Sequence, residues 1–283
     1  GVIDSITPTQ GTGGSIVVVQ GDGLLASGNI LVSVTLAGIE ANITLQNETY
    51  VVVSAAVSEK ADPGDVVLTA DSGATVISEG AWEYLEPGVV TDVSPAAGQF
   101  GTVVVISGTS LFAGGSSIDT LVLDGTEVES IGVQNSTFIS VVAAAANASD
   151  SAGDVRMVSD IGTVITAEGV WSYVEQGSID DVTPASGRIG TTVVIQGSGL
   201  RGGGDEVVSV TLDGEDATVD AETDDEVSVT APAGSNGGAG SIVLTADSGA
   251  IVSKDASWTF VDSAIDSVTP AQGQVGVFIT IAG

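Results

Sequence analysis

The 283-residue sequence contains neither cysteine nor histidine. The first absence removes disulfides, and with them any reading of redox compartment from paired thiols. Together they remove the Ser-His-Asp triad, a cysteine nucleophile and an ordinary zinc site. Basic residues are scarce: five Lys and Arg stand against 37 Asp and Glu, for a formal charge of -32. A polyanion of this kind repels nucleic acid and anionic lipid surfaces, because both are held by Lys and Arg neutralising phosphate. Long apolar runs are missing too. The stretch from Val141 to Ala146 falls far short of the ~18 residues that cross a bilayer, so no membrane insertion is expected in this segment. Gly1 opens inside a repeating pattern with no Met and no leader, pointing to a natural chain that begins upstream.

Aromatics make up only 4% of the chain, a composition that in acidic sequences sometimes means disorder. Here 43% of residues are hydrophobic and many are Val and Ile, so a core can be buried with the acid outside. Glycine, at 39 residues, is about twice its usual ~7% share and indicates many tight turns.

What is present is a repeat. Ile3-Asp4-Ser5-Ile6-Thr7-Pro8 returns as Val90-Thr91-Asp92-Val93-Ser94-Pro95, as Ile179-Asp180-Asp181-Val182-Thr183-Pro184 and as Ile265-Asp266-Ser267-Val268-Thr269-Pro270. A glycine follows six residues after each proline (Gly14, Gly101, Gly190, Gly276) and again after thirteen (Gly21, Gly108, Gly197, Gly283), with a β-branched run between. The far end recurs as Asp71-Ser72-Gly73, Asp160-Ile161-Gly162 and Asp247-Ser248-Gly249. About ten residues beyond each lies Trp-x-aromatic: Trp82 with Tyr84, Trp171 with Tyr173, Trp258 with Phe260. Boundaries follow at 1–87, 88–176 and 177–262, with 263–283 opening a fourth, incomplete unit.

Each unit reads as short β-branched strands broken by Gly, Asp, Asn and Ser. In the first, strands are predicted at 16–20, 30–36, 41–45, 51–55, 66–70 and 81–85, with no sustained helical period. The expected fold is all-β: tandem immunoglobulin-like β-sandwich domains. The opening Ile-x-x-Ile-x-Pro, the β-branched run, Gly21-Asp22-Gly23-Leu24 and Gly197-Ser198-Gly199-Leu200, and the Asp-Ser-Gly turn resemble the IPT/TIG domain. The second unit carries Thr109-Ser110-Leu111 at the Gly-Leu turn. The resemblance implies an immunoglobulin-like fold of the kind found in cell-surface receptors, surface proteins and some transcription factors. Between units stand only Leu85-Glu86-Pro87-Gly88, Val174-Glu175-Gln176-Gly177 and Val261-Asp262-Ser263. Such short linkers predict a semi-rigid rod, although pivoting at Gly88 and Gly177 stays open.

Four of the six asparagines lie in Asn-x-Ser/Thr sequons: Asn42, Asn47, Asn135 and Asn147. Ser and Thr fill about a fifth of the chain, so chance alone places about one of six there. Asn47 and Asn135 also share one place in their repeats, where Asp224 is expected in the third. Sequons mark exposed loops of secreted proteins, so covalent glycans are expected, with O-linked sugars an open addition. Asp22, Asp71, Asp205 and Asp247 in Gly-rich turns raise calcium, but no Asp-x-Asp-x-Asp loop appears and solvated turn acids are preferred. No other cofactor is called for. The recurrent Trp residues could stack on sugar; their fixed place in the last strand favours a core plug.

Catalysis has little support. A carboxylate pair can serve glycoside hydrolysis, but these acids scatter across turns in every unit. Gly11-Thr12-Gly13-Gly14 runs into a strand and not a helix, so it is no phosphate cradle. The reading is a non-enzymatic, extracellular or cell-surface structural protein: an acidic glycosylated filament or stalk whose partners are copies of itself. The fourth unit's strands could complete a neighbour by strand addition. The alternative is an adhesin or receptor ectodomain binding a protein or glycan partner through its loops; an enzyme-attached spacer comes third. Asymmetry among the repeats separates the first two.

Overall fold

A computed structural model describes residues 1–58, 62–235, 237–262 and 265–282. Ser263 of the last linker and Gly283 of the repeat pattern lie outside the described residues. Among the described residues there is no helix.

The first repeat shows how the sequence builds a sandwich. Its strands are β1 (Val2–Thr7), β2 (Gln10–Gly11), β3 (Ile16–Asp22), β4 (Leu31–Leu36), β5 (Ile39–Glu40), β6 (Asn42–Gln46), β7 (Tyr50–Ser54), β8 (Pro63–Ala70) and β9 (Thr75–Tyr84). They form two sheets, in the orders β1-β3-β7-β6 and β2-β9-β8-β4-β5. All pairings are antiparallel except β2 with β9. The β-branched runs alternate with the pleat: Val17 and Val19 of β3 and Val51 and Val53 of β7 are fully buried, as are Val34, Leu36, Val66 and Leu68 facing them. Each such side chain contributes roughly 1.5–3 kcal/mol on leaving water.

Relative to the predicted strands, β1, β2 and β5 are additions and β9 reaches back to Thr75. The first half of β9 puts only Val76 into the core, with Ser78, Glu79 and Gly80 following, too little apolar alternation to mark a strand in the sequence. Between β4 and β5 a two-residue turn places Ala37 and Gly38 at φ 46° and 79°. The equivalent pairs Asp124-Gly125 and Asp213-Gly214 do the same. Positive φ at both positions matches the right-handed twist of a tight hairpin, and glycine supplies it without strain.

The second repeat has the same two sheets, of four and five strands. The third differs. One strand, Glu215–Glu222, does the work of β5 and β6, pairing first with Val207–Leu212 and then with Glu226–Thr230, so that all eight strands join. Residues Ser267–Thr269 and Thr280–Ala282 form a separate two-stranded hairpin. Four prolines, Pro8, Pro95, Pro184 and Pro270, follow cis peptide bonds.

The chain divides into two compact units, Gly1–Ala97 with Val103–Tyr173, and Gly98–Thr102 with Val174–Gly283. Three cores lie within it. Trp82, Trp171 and Trp258 are each about 1% exposed or less and meet Tyr84, Tyr173 and Phe260 edge to face, with ring centroids 5.6 Å apart. The tryptophans are core plugs, and no sugar-stacking platform is made of them.

Candidate functional site

The structure exposes all four sequon asparagines. Asn47 and Asn135 sit in the same turn, between β6 and β7 and between the equivalent strands of the second repeat. The Asn47 Oδ1 accepts hydrogen bonds from the Thr49 N–H (2.9 Å) and hydroxyl (3.2 Å). The Asn135 Oδ1 accepts from the Thr137 N–H and hydroxyl, both at 2.9 Å. Each sequon thus closes on itself as an Asx turn, engaging the amide oxygen rather than the nitrogen. Asn42 begins β6, where the Thr44 hydroxyl donates to the Val52 carbonyl at 3.0 Å. Asn147 lies in a loop; the Ser149 hydroxyl donates to Asp124 and accepts from the Tyr173 N–H at 3.0 Å.

In the third repeat the turn position is taken by Thr223, not Asp224. The Thr223 N–H donates to the Glu226 carbonyl at 2.8 Å, as the Asn47 N–H does to Tyr50 at the same distance. The hydroxyl of Thr223 accepts from the Glu226 N–H at 2.9 Å, replacing the Asx turn with a hydroxyl-capped one. A count of 39 residues from the proline fits repeats one and three, whereas repeat two carries one extra residue, and the difference displaced the expected equivalence.

One residue before this turn is a position the sequence reading passed over. Gln46 and Gln134 each reach from one sheet to the opening residue of β4 or its equivalent in the other, and Glu222 reaches the opening residue of the corresponding strand in the third repeat. The Gln134 Oε1 accepts from the Ile118 N–H at 2.7 Å while its Nε2 donates to the Ile118 carbonyl at 3.4 Å. Gln46 makes the same pair with Leu31. Glu222 accepts from the Val207 N–H at 3.3 Å, lacks a donor, and is bridged in both oxygens by Arg201 at 2.8 Å. That guanidinium, ahead of the other influences, holds the Glu222 carboxyl below its ordinary value. The signal available in the sequence was a polar residue recurring just before the sequon turn.

Where β5 and β6 are separate strands, the sheets part along this edge. An open groove results in the first repeat, lined by Leu31, Glu40, Asn42, Ile43, Gln46 and Ala55. Its counterpart in the second repeat is lined by Ile118, Glu127, Ser130 and Ile131. The continuous strand Glu215–Glu222 spans the same edge in the third.

The turn acids clamp loops. Asp71 accepts from the Asn29 N–H at 2.9 Å, Asp160 from the Ser116 N–H at 3.0 Å, and Asp247 from the Asp205 N–H at 2.9 Å. These bonds favour the charged form: backbone donation from Asn29 and Asp205 leads for Asp71 and Asp247, the Ser116 hydroxyl for Asp160, and all three carboxyls fall below their ordinary value. Of the calcium candidates, Asp205 therefore meets Asp247 through its backbone, and Asp22 stands apart at the end of β3. Among the described residues no group of three or more acidic side chains is placed to hold a metal ion, and no helix is long and apolar enough to cross a membrane.

Paired antiparallel sheets, an edge-to-face Trp-aromatic plug and a strand order repeated along the chain define a tandem array of immunoglobulin-like domains. The family model for the IPT/TIG domain matches residues 2–81, 89–169 and 178–260, and the chain belongs to that family. Among solved structures it is similar to the full extracellular region of plexin A4, at 19% identity and a TM-score of 0.52, covering 97% of this chain and 26% of plexin. Weaker likenesses run to the SGBP-B protein of a Bacteroides ovatus mixed-linkage glucan utilization locus (16% identity, TM-score 0.27, 82% of this chain and 59% of that one) and to the I9-I11 tandem of titin (10%, 0.26, 90% and 95%). No curated protein matches the chain. The chain thus spans about a quarter of plexin A4 and just over half of the Bacteroides protein.

Proposed function

We propose that this chain is a structural stretch of an extracellular, glycosylated array, a filament or surface stalk made of stacked IPT/TIG domains and joined to copies of itself. One observation carries the reading: two sequon asparagines, Asn47 and Asn135, present the same exposed Asx turn in successive repeats. A modification placed at a fixed site of a repeat decorates an array at regular intervals. Sugar and a charge of -32 together keep β-rich domains soluble and oppose lateral pairing of sheet edges. Likeness to an extracellular region in plexin agrees with this location.

Peptide mass spectrometry of the native material, before and after enzymatic removal of N-linked glycans, tests it. Hexosamine on Asn47 and Asn135 supports the reading, and unmodified peptides at both sites overturn it.

A second reading has an observation of its own. The edge groove is open in the first two repeats and spanned in the third. Such asymmetry is what an adhesin or receptor ectodomain needs and a uniform fibre does not. Binding of a glycan or peptide array to the chain, abolished by Ile43→Asp and Ile131→Asp together, favours this reading.

A further inference from the structure

One loop recurs beside the proline of every complete repeat, at residues 12–16, 99–103 and 188–192. Its conformation is the same each time: the N–H of Thr12, Gln99 or Arg188 donates to the hydroxyl of Ser15, Thr102 or Thr191 at 3.0–3.1 Å. Its surroundings are not. Thr12 and Ser15 are buried, as are Gln99 and Thr102. In the third loop Arg188, Gly190 and Thr192 are exposed, and Ile189 is 68% exposed.

What covers the first two loops is a turn of the Asp-x-Gly type. Within the first unit, the Ile16 N–H donates to the Ile161 carbonyl at 2.9 Å, and Gly14 and Gly162 approach so closely that a Cβ on either would touch the other's loop. Within the second unit, the Ile251 N–H donates to the Phe100 carbonyl at 2.9 Å, and a Cβ on Gly101 would meet the Gly249 carbonyl oxygen at 2.8 Å. The Gln99 side chain adds a bond to the Ile251 carbonyl (3.1 Å) and another from the Gly177 N–H (2.7 Å). By contrast, among the described residues nothing lies within 4 Å of a Cβ built on Gly190.

The hairpin of Ser267–Thr269 and Thr280–Ala282 supplies the second half of the argument. It pairs Val268 with Ile281 and Thr269 with Thr280, the register that β1 and β3 use for Ile6 with Val19 and Thr7 with Val18. Val17 and Val19 are fully buried in the first repeat; their counterparts Ile279 and Ile281 are 58% and 57% exposed. From Ser267 onward the hairpin also carries no charge, in a chain with 37 acids. Its sequence and register fit the opening hairpin of a sandwich whose facing sheet would cover this side.

We propose that residues 265–282 open a fourth IPT/TIG repeat and that loop 188–192 is the docking surface for that repeat's Asp-x-Gly turn. The Thr192 N–H would donate to the residue at the place of Ile161, and the Ile189 carbonyl would accept from the residue at the place of Ile251. The surface is preformed, so docking orders little new backbone. The inference deepens the array reading but does not depend on glycosylation.

The test lengthens the full chain after Gly283 with a second copy of its residues 22–85, the stretch that follows the equivalent Gly21. A fourth folded repeat is expected, seen as a buried added tryptophan by fluorescence, with amide exchange at Thr192 slowed at least tenfold against the parent chain. A folded fourth repeat that leaves Thr192 exchange unchanged overturns the docking surface. A companion chain has residues 265–283 also replaced by residues 3–21, so that the added repeat copies the first throughout. If that repeat folds and the native hairpin supports none, the hairpin is not the start of a repeat and the proposal fails. Glycan analysis is unaffected by any of these outcomes.

Discussion

The amide of Gln134 meets both backbone groups of Ile118, accepting from its N–H at 2.7 Å and donating to its carbonyl at 3.4 Å. A side chain here does what a neighbouring strand does elsewhere, satisfying a donor and an acceptor at the edge where the two sheets part. Each bond of this sort contributes about 1 kcal/mol net, and an unsatisfied half-buried group costs more. Gln134→Ala is therefore expected to destabilise the second repeat by about 1–2 kcal/mol, read as a lower denaturant midpoint at constant slope. Gln46→Ala should do the same to the first.

Glu222 occupies this place in the third repeat and depends on Arg201. Arg201→Ala should lower the melting temperature by leaving the carboxylate unpaired. Adding Glu222→Gln should restore it, because glutamine can then pair with Val207 as Gln134 does with Ile118. Because the folded-state pKa of Glu222 is depressed, its contribution is present above the unfolded value and is lost as pH falls through the folded one. Thermal melts of the wild type and the double variant should differ in their acid limbs; identical limbs contradict the pairing.

Among the described residues the buried hydroxyls of Tyr84 and Tyr173 have no hydrogen-bond partner, and the third repeat has Phe260 at that place. Tyr84→Phe and Tyr173→Phe are expected to be neutral or stabilising by up to about 1 kcal/mol. Burial, and secondarily the charge of Asp124, push the Tyr173 phenol up to about 12. A raised folded-state pKa gives stability that is complete below the unfolded value near 10 and lost as pH rises from there toward 12. Tyr173→Phe should weaken that alkaline loss in pH-dependent calorimetry.

The loop clamps work in the opposite direction. Asp71, Asp160 and Asp247 have depressed carboxyls, so their support is present above the ordinary aspartate value and disappears as pH drops below it. Asp160→Ala should release the Ser116 and Ser117 backbone N–H groups and raise amide exchange at both residues at pH 7. Unchanged exchange there would show that the clamp is not what holds the loop.

Much of this architecture is written in the sequence because it repeats. The proline, the two glycines and the Trp-x-aromatic each fix one strand or turn, and together they place three sandwiches. The core role of Trp82, Trp171 and Trp258 was legible for the same reason, a constant place in the last strand. Less legible were contacts made by polar side chains across a gap between sheets. Gln46 and Gln134 look like ordinary exposed strand residues until the facing edge is in view. Likewise the joining of all sheets in the third repeat turns on whether 215–222 runs through without a break, and strand propensity alone does not decide that. The acids of the Gly-rich turns read in the sequence as solvated surface groups, and what that reading missed is that Asp71 and Asp247 accept from backbone amides of their own repeats.

Electron microscopy of the native, undenatured material addresses the structural reading most directly. The account predicts filaments or stalks with an axial repeat of one IPT/TIG domain and extra density projecting at Asn47 and Asn135. Isolated short particles with bare asparagines at those two turns would contradict it, and would turn attention to ligands of the groove beside Asn42.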